Sequence, residues 1–283
     1  SVLQSDEVSD LVYKDIFTYL VMKKLDPISY QAAQAGLTLN FYSTKEGIDL
    51  KISGFKEKAF SLVDKVLSQL SSLTVSEQDL MSAKDFLSSE YSNYSRGLTV
   101  KEGLEWANKV LVKDHIAPWE KREFLDEMTL KKFNDKKITC FNKGYVKALV
   151  YGYKDQKEIS KQISLMKHLC KAPFLKEEHR LPAMLELESG STSPALWLKS
   201  EFGGSAALLF IQQGPESFDR KALQQILDAL IGSEFMSELR TRQQTGYITH
   251  AGMMEKEKQL MNLFLVQSTS HHPRDLLSRF ELF

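Results

Sequence analysis

Between Leu239 and Tyr247 the chain reads Leu-Arg-Thr-Arg-Gln-Gln-Thr-Gly-Tyr, which sets the guanidinium of Arg240 and the phenol of Tyr247 on either side of a glycine. Arginine offers a rigid fork of N–H donors able to hold a peptide carbonyl. Tyrosine offers a hydroxyl on a stiff arm, able to reach an oxygen that becomes negative during nucleophilic attack. If Gly246 closes a helix in a left-handed turn, Arg240 projects from the last turns, Tyr247 opens the next strand, and both face one cavity. The plainer reading is an arginine offsetting the dipole at a helix end and a tyrosine packed on a core.

Other residue types that could do chemistry carry less. A zinc-activated water needs three protein ligands and a nearby base. His-x-x-Glu-His is absent, because Leu175 stands where Glu178-His179 would need its first histidine, and no His-Glu-x-x-His occurs. His115, His168 and His250 have no carboxylate or cysteine at ligand spacing, and His271-His272 ahead of Pro273 fits a solvated helix start. No residue of this chain is therefore assigned to a metal. Cys140 and Cys170 fit neither a zinc-knuckle nor a redox spacing and are expected to be core thiols. Gly203-Gly204 lacks the partners of a phosphate loop and is expected to permit a bend before a strand.

The elements that must position Arg240 and Tyr247 follow from hydrophobic period. Val8 to Lys24 reads as a helix and residues 27–36 as a short second one, with Pro27 in its first turn and Gly36 as its cap. Leu37, Leu39 and Phe41, then Ile48, Leu50 and Ile52, alternate as a hairpin around Lys45-Glu46-Gly47. Glu57 to Leu70 is helical, and Thr74 or Ser76 caps the next helix. Residues 77–133 read as three or four helices broken near 96–99 and 117–119. Lys137 to Cys140 and Lys147 to Tyr153 read as strand, and Asp155 to Leu169 as helix. Residues 172–194 have linker composition. Beyond it come a strand (Ala206 to Gln212), two helices (Asp219 to Leu230 and Ser233 to Gln244), a hairpin (Tyr247 to Gly252, Leu260 to Ser268) and a helix start at His272.

Helix, glycine, hairpin, helix thus occurs twice, with Gly36 and Gly246 210 residues apart, which points to a duplicated α+β unit. The second copy is expected to be incomplete, its apolar face covered by something outside this sequence. Of the 283 residues 42% are apolar, enough for more than a miniprotein core, and 37 basic side chains balance 37 acidic ones. Such neutrality disfavours nucleic acid as a partner. The longest apolar run, Ala206 to Ile211, is far short of a membrane span. The polar opening carries no intact signal peptide, and the missing initial Met suggests a processed or excised chain.

The segment from Phe235 to Ile248 resembles the Leu-Arg-Thr-Lys-Glu-Gln-Leu-Gly-Tyr signature of the insulysin and pitrilysin zinc metallopeptidases. Phe264-Leu-Val-Gln-Ser resembles the strand that follows it, and Ala32 to Leu37 the matching turn of the preceding domain. Two positions depart: Gln243 stands where the family usually has Glu, and Thr245 where it usually has Leu. The resemblance implies an α+β fold of two homologous metallopeptidase-like units, antiparallel sheets with helices on one face. Residues 1–171 would be third-domain-like, 172–194 a linker, and 195–283 the start of a fourth-domain-like unit. It also implies that Arg240 and Tyr247 contact substrate as catalytic and substrate-binding residues, with zinc held by an amino-terminal half not contained here. The expected partners are a peptide substrate and that catalytic half, with homo-oligomerisation left open and no nucleic acid or membrane span. Taken alone, the segment is expected to be inactive, soluble, and cytoplasmic or periplasmic. The rival reading is a non-catalytic partner subunit of the same fold, resembling respiratory core proteins or the inactive subunit of a processing peptidase.

Overall fold

In the computed structural model, residues 8–44, 47–140, 143–144, 146–152, 155–167, 172–173, 183–187 and 194–283 are described. They form two compact units. The first comprises residues up to 92 and 118–180, the second residues 93–117 and 181–283.

The first unit is built on α1 (Val8–Gln34), a single helix that runs through Pro27. The break expected near residue 25 does not occur. Buried Leu25 and Ala32 hold the helix on both sides of an exposed Pro27, and the carbonyl that proline leaves unbonded lies on the wet face. Gly36, at φ +74°, turns the chain into β1 (Leu37–Ser43), which pairs antiparallel with β2 (Ile48–Gly54). Gly54 is required sterically, since a Cβ there would lie 2.0 Å from the Gly36 carbonyl oxygen. Helix α2 (Ala59–Ser72) follows, and then α3 (Glu77–Ser92). Ser76 caps α3: its Oγ accepts from the Asp79 N–H (3.1 Å) while the Asp79 carboxylate accepts from the Ser76 N–H (3.0 Å).

Helices α5 (Pro118–Leu125) and α3 pack on α1, and α6 (Leu130–Cys140) adds Phe133, whose ring lies 5.0 Å from Tyr13. Asp15 ties this layer together, accepting from Tyr91 (2.5 Å), Lys121 (3.0 Å) and Ser43. Lys137 to Cys140, expected as strand, is the last turn of α6. Residues 147–152 form no strand, and Leu149 and Tyr151 are exposed there. β-Forming side chains gave the wrong period because no buried face selects it. Helix α7 (Gln156–Lys167) and a two-residue parallel pairing of β3 (Lys143–Gly144) with β4 (Ala172–Pro173) complete the unit. Tyr153, His168, Cys170, Glu178 and His179, like the Cys140 side chain, lie outside the described residues.

The second unit is a sheet of order β5-β7-β6, with β5 (Ser205–Pro215), β6 (Ile248–Lys256) and β7 (Gln259–Ser268) all antiparallel. Ala207, Ala251 and Val266 point to the face covered by α8 (Phe218–Phe235) and α9 (Pro273–Leu282). The other face, with Leu263, Leu265 and Leu208, is covered by α4 (Thr99–Leu111) through Val100 and Leu104. Gly103 makes this approach possible, as a Cβ would stand 2.7 Å from Leu208. Residues 93–117 thus pack with the second sheet, although the sequence division put everything up to 171 in the first unit. Part of the expected linker is tied to the same unit. Lys113 N–H donates to Ala183 O (2.8 Å), Leu185 N–H to Leu111 O (2.7 Å), and Leu187 N–H to Gln212 Oε1 (2.9 Å). Gly204, at φ +91°, makes the bend expected ahead of the first strand.

Candidate functional site

Two helices were expected between Asp219 and Gln244. The chain instead runs on from α8 without a break, with Gly232 helical and packed so close to the sheet that a Cβ would sit 3.2 Å from the Ala251 carbonyl oxygen. Over Met236–Arg242 the helix widens to π pitch. Gln243 N–H reaches back to Glu238 O and Thr245 N–H to Leu239 O, both at 2.9 Å. Buried Thr245 adds its hydroxyl to the same Leu239 oxygen at 2.7 Å, so one helix-end carbonyl receives two donors. A leucine there could not do this. The departure from the family residue replaces an apolar contact with a closing hydrogen bond.

The left-handed residue is Gln244 (φ +51°), not Gly246. Gly246 is needed for a different reason: a Cβ on it would stand 1.9 Å from the Gln267 carbonyl oxygen at the end of β7. The turn is anchored from beneath by Leu239 and Phe235, both fully buried, the latter with the rings of Phe264, Phe280 and Phe283 around it at 5.2–5.3 Å.

This turn brings Arg240 and Tyr247 together. The guanidinium carbon lies 4.4 Å from the centroid of the Tyr247 ring, a cation–π contact that aligns the fork along the aromatic face. Among the described residues no carboxylate pairs with Arg240. Tyr247 is 81% exposed, so within the second unit the pair forms an open shoulder rather than the walls of a hollow. Arg240 beside it is half-buried, and the Tyr247 side chain stands largely in solvent.

Beside the pair runs a chain of polar contacts that the sequence did not single out. Glu238 accepts from Gln243 Nε2 and Arg242 Nη1, each at 3.0 Å, and these bonds, Gln243 first, hold its carboxyl below the usual range. Gln243 Oε1 in turn accepts from Arg279 Nη1 (2.5 Å), and Arg279 Nε donates to Asp275 (3.1 Å). An amide fits between a carboxylate and a guanidinium because it both donates and accepts, and that network fixes its orientation. The usual Glu would set like charges together. The signal available in the sequence was the departure itself.

Three of the described histidines have structural partners. His272 caps α9, its ring accepting from Arg274 N–H (3.2 Å), and His271 Nδ1 sits 3.1 Å from Ser268 Oγ. His115 pairs with Glu105 at 2.6 Å, a partner ten residues away that ligand spacing overlooked. Burial raises the Glu105 carboxyl, but hydrogen bonding to His115 and its charge outweigh this and leave it lowered. His250 is exposed. Among the described residues no three His, Cys, Asp or Glu side chains gather as a metal ion requires. The donor set of the described residues does not fit zinc. Nor, among those residues, is any helix long and apolar enough to cross a membrane.

Comparison with known proteins gives matches to both parts of the chain. Residues 1–124 match the middle or third domain of peptidase M16, and residues 226–283 match the domain described as PQQ synthase PqqF-like, C-terminal lobe domain 4. The chain is 22% identical over 284 residues to insulin-degrading enzyme-like 2 of Arabidopsis thaliana, covering 95% of this chain and 29% of that protein. It is 22% identical over 273 residues to protease 3 of Shigella flexneri, covering 94% and 27%. Its fold is similar to the crystal structure of pitrilysin, with a TM-score of 0.69 at 17% identity, over 98% of this chain and 29% of that one. The chain thus spans less than a third of the length of these relatives.

Proposed function

We propose that this chain, a segment of the insulysin/pitrilysin family, forms the substrate-binding carboxyl-terminal portion of a zinc endopeptidase. In this reading Arg240 holds a carbonyl of the bound peptide, and Tyr247 donates its hydroxyl to the oxygen that gains negative charge at the scissile bond. The observation that carries it is the contact of the Arg240 guanidinium with the Tyr247 ring at 4.4 Å, on an exposed shoulder anchored by the buried side chains of Phe235 and Leu239. A guanidinium already aligned loses less conformational freedom on gripping a carbonyl. A phenol at the first residue before a paired strand is fixed by the sheet behind it.

The metal and its base belong, in this proposal, to an amino-terminal half that closes over the shoulder and excludes water. Donors of this kind gain most of their effect in such an enclosed site, where losing one costs about 10²–10³ in rate. The segment alone binds peptide weakly and does not cleave it.

The test combines the 283-residue chain with an amino-terminal half carrying His-x-x-Glu-His and follows cleavage of a fluorogenic peptide. Tyr247→Phe is expected to lower kcat by about 10²–10³ with an unchanged melting temperature, since the hydroxyl is exposed and stabilises nothing here. Arg240→Lys keeps the charge but loses the fork, and is expected to raise KM. Equal turnover for wild type and Tyr247→Phe removes the role assigned to that hydroxyl. Absence of any cleavage with an intact amino-terminal half would favour the partner-subunit reading.

A further inference from the structure

Arg240 lies in a stretch of backbone that is fastened on both sides. Gln243 N–H donates to Glu238 O at 2.9 Å, the long-reach bond of the π turn, and the Gln243 side-chain amide donates to the Glu238 carboxylate at 3.0 Å. The same two residues are thus joined twice, through backbone and through side chain, with Arg240 inside the loop they close. Arg242 Nη1 adds a further bond to that carboxylate at 3.0 Å. Backbone of π pitch is rare and occurs mostly as single turns, so one that presents a side chain in a fixed place needs such fastening.

The fastening reaches beyond the turn. Gln243 Oε1 accepts from Arg279 Nη1 (2.5 Å), and Asp275, one helical turn earlier on α9, holds Arg279 Nε at 3.1 Å. Helix α9 is itself seated by buried Leu276 and Phe280, and the Phe280 ring lies 5.3 Å from Phe235 at the root of the turn. Only a side chain that accepts from a guanidinium and donates to a carboxylate at once completes this line, and an amide does both. Loss of the amide leaves Glu238 with Arg242 alone and detaches Arg279 from the turn.

We propose that Gln243 and Arg279 are positioning residues of the site: through Glu238 and the π turn they set the Arg240 guanidinium against the Tyr247 ring, 4.4 Å from its centroid. Neither touches substrate. Their effect on catalysis rests on the reading of Arg240 as a substrate contact, whereas the positioning itself rests on the bonds alone.

The first measurement is NMR of the 283-residue chain. The Arg240 Hδ and Hε protons lie over an aromatic face and are expected upfield of those of other arginines. Gln243→Met keeps the length of the side chain without its polar atoms, and Arg279→Met removes the far end of the line. Each is expected to abolish most of that upfield shift, with the β5 amide signals unchanged as a check that the sheet is kept. Gln243→Glu sets two carboxylates together and is expected to do the same. Adding Glu238→Gln exchanges amide and carboxylate, remakes both bonds, and is expected to bring the shift back. An unchanged shift in Gln243→Met, or no recovery in the exchanged pair, overturns the proposal.

The second measurement is peptide cleavage with an amino-terminal half carrying His-x-x-Glu-His supplied. Gln243→Met is expected to raise KM about tenfold, below the roughly 10²-fold that an ångström of misplacement costs, and to leave kcat within about twofold, since β6 holds Tyr247 independently of this line. In an Arg240→Ala background the same change is expected to add nothing, as for groups that act as a unit. A full effect in that background overturns the proposal. Loss of the NMR shift with unchanged KM supports the positioning and overturns instead the assignment of Arg240 to substrate, so the two readings fail separately.

Discussion

The turn that presents Tyr247 makes opposite demands on two neighbouring positions, and substitution at each separates them. Gln244 occupies the left-handed region at φ +51°, which costs an L-residue roughly 1–2 kcal/mol. Gln244→Gly removes that cost and adds about 0.5–1 kcal/mol of chain entropy to the unfolded state, so the net expectation is a stabilisation of about 0.5–1 kcal/mol. Gly246 lies outside that region, yet its Cβ would stand 1.9 Å from Gln267 O, where an unstrained contact needs about 3.5 Å. The end of β7 would have to retreat by more than an ångström, disturbing the Ile248–Gln267 pairing, and Gly246→Ala is expected to cost about 3 kcal/mol or more. Because the chain has two units, hydrogen exchange of the β6 and β7 amides is the suitable assay; a global melt would mix them. Tolerance of Gly246→Ala together with destabilisation by Gln244→Gly would refute the geometry that holds Tyr247.

Burial lowers the Lys14 pKa from 10.5 to about 8. Below pH 8 the folded state carries the full penalty of a buried ammonium, and as pH rises from 8 the unfolded state binds more protons and stability increases. The gain by pH 10 should be about 2–3 kcal/mol, absent in Lys14→Gln and seen in urea titrations at pH 8 and 10. Above pH 10 the trend should reverse, because burial and then Asp15 raise the Tyr91 pKa and the unfolded tyrosine ionises first. Among the described residues Gln224 Oε1 and Asn262 Nδ2 are buried without partners. Asn262→Leu alone should cost about 1–3 kcal/mol, and adding Gln224→Leu should recover most of it in a double-mutant cycle. Thr245→Val should cost about 1 kcal/mol, the low end for a buried hydrogen bond, since Leu239 O keeps its backbone donor. Gln243→Glu should raise the Glu238 pKa, followed by carboxyl NMR, because a donor is exchanged for a like charge.

Where one face is buried and the other wet, the elements could be read from the sequence. The alternation of Leu37, Leu39 and Phe41 gave a strand whose buried face the structure reproduces, and of the two cap candidates, Thr74 and Ser76, the structure uses Ser76. Reading failed where the deciding contact is remote. Pro27 looked like a helix start, and only the core around Leu25 and Ala32 keeps α1 intact. Gly246 looked like a helix cap, yet it is glycine because a distant carbonyl, of Gln267, leaves no room for a Cβ. At the site, Arg240 and Tyr247 were legible as types at a spacing. Their stacking, the π turn and the bridge from Glu238 through Gln243 to Arg279 were not, since Arg279 comes from a helix 36 residues further on. The assignment of 93–117 to the second unit was equally hidden, because an apolar stripe does not name the sheet it covers.

The two repeats share one more feature. The 210-residue offset between Gly36 and Gly246 sets Gln224 on Lys14, and both are polar side chains at most 6% exposed beneath their helices. Lys14 reaches Thr44 O (2.9 Å) at the end of β1, and Gln224 reaches Asn262 in β7. Each helix therefore meets its hairpin through a group whose burial is unfavourable, seen as a lowered pKa in one and an unpartnered oxygen in the other. In α1 that deficit is offset on the far side, where Tyr13, Ile16, Phe17 and Leu20 are removed from water at about 1.5–3 kcal/mol each. In α8 the equivalent side chains Leu223, Ile226, Leu227 and Leu230 are exposed. The π turn carrying Arg240 continues directly from α8.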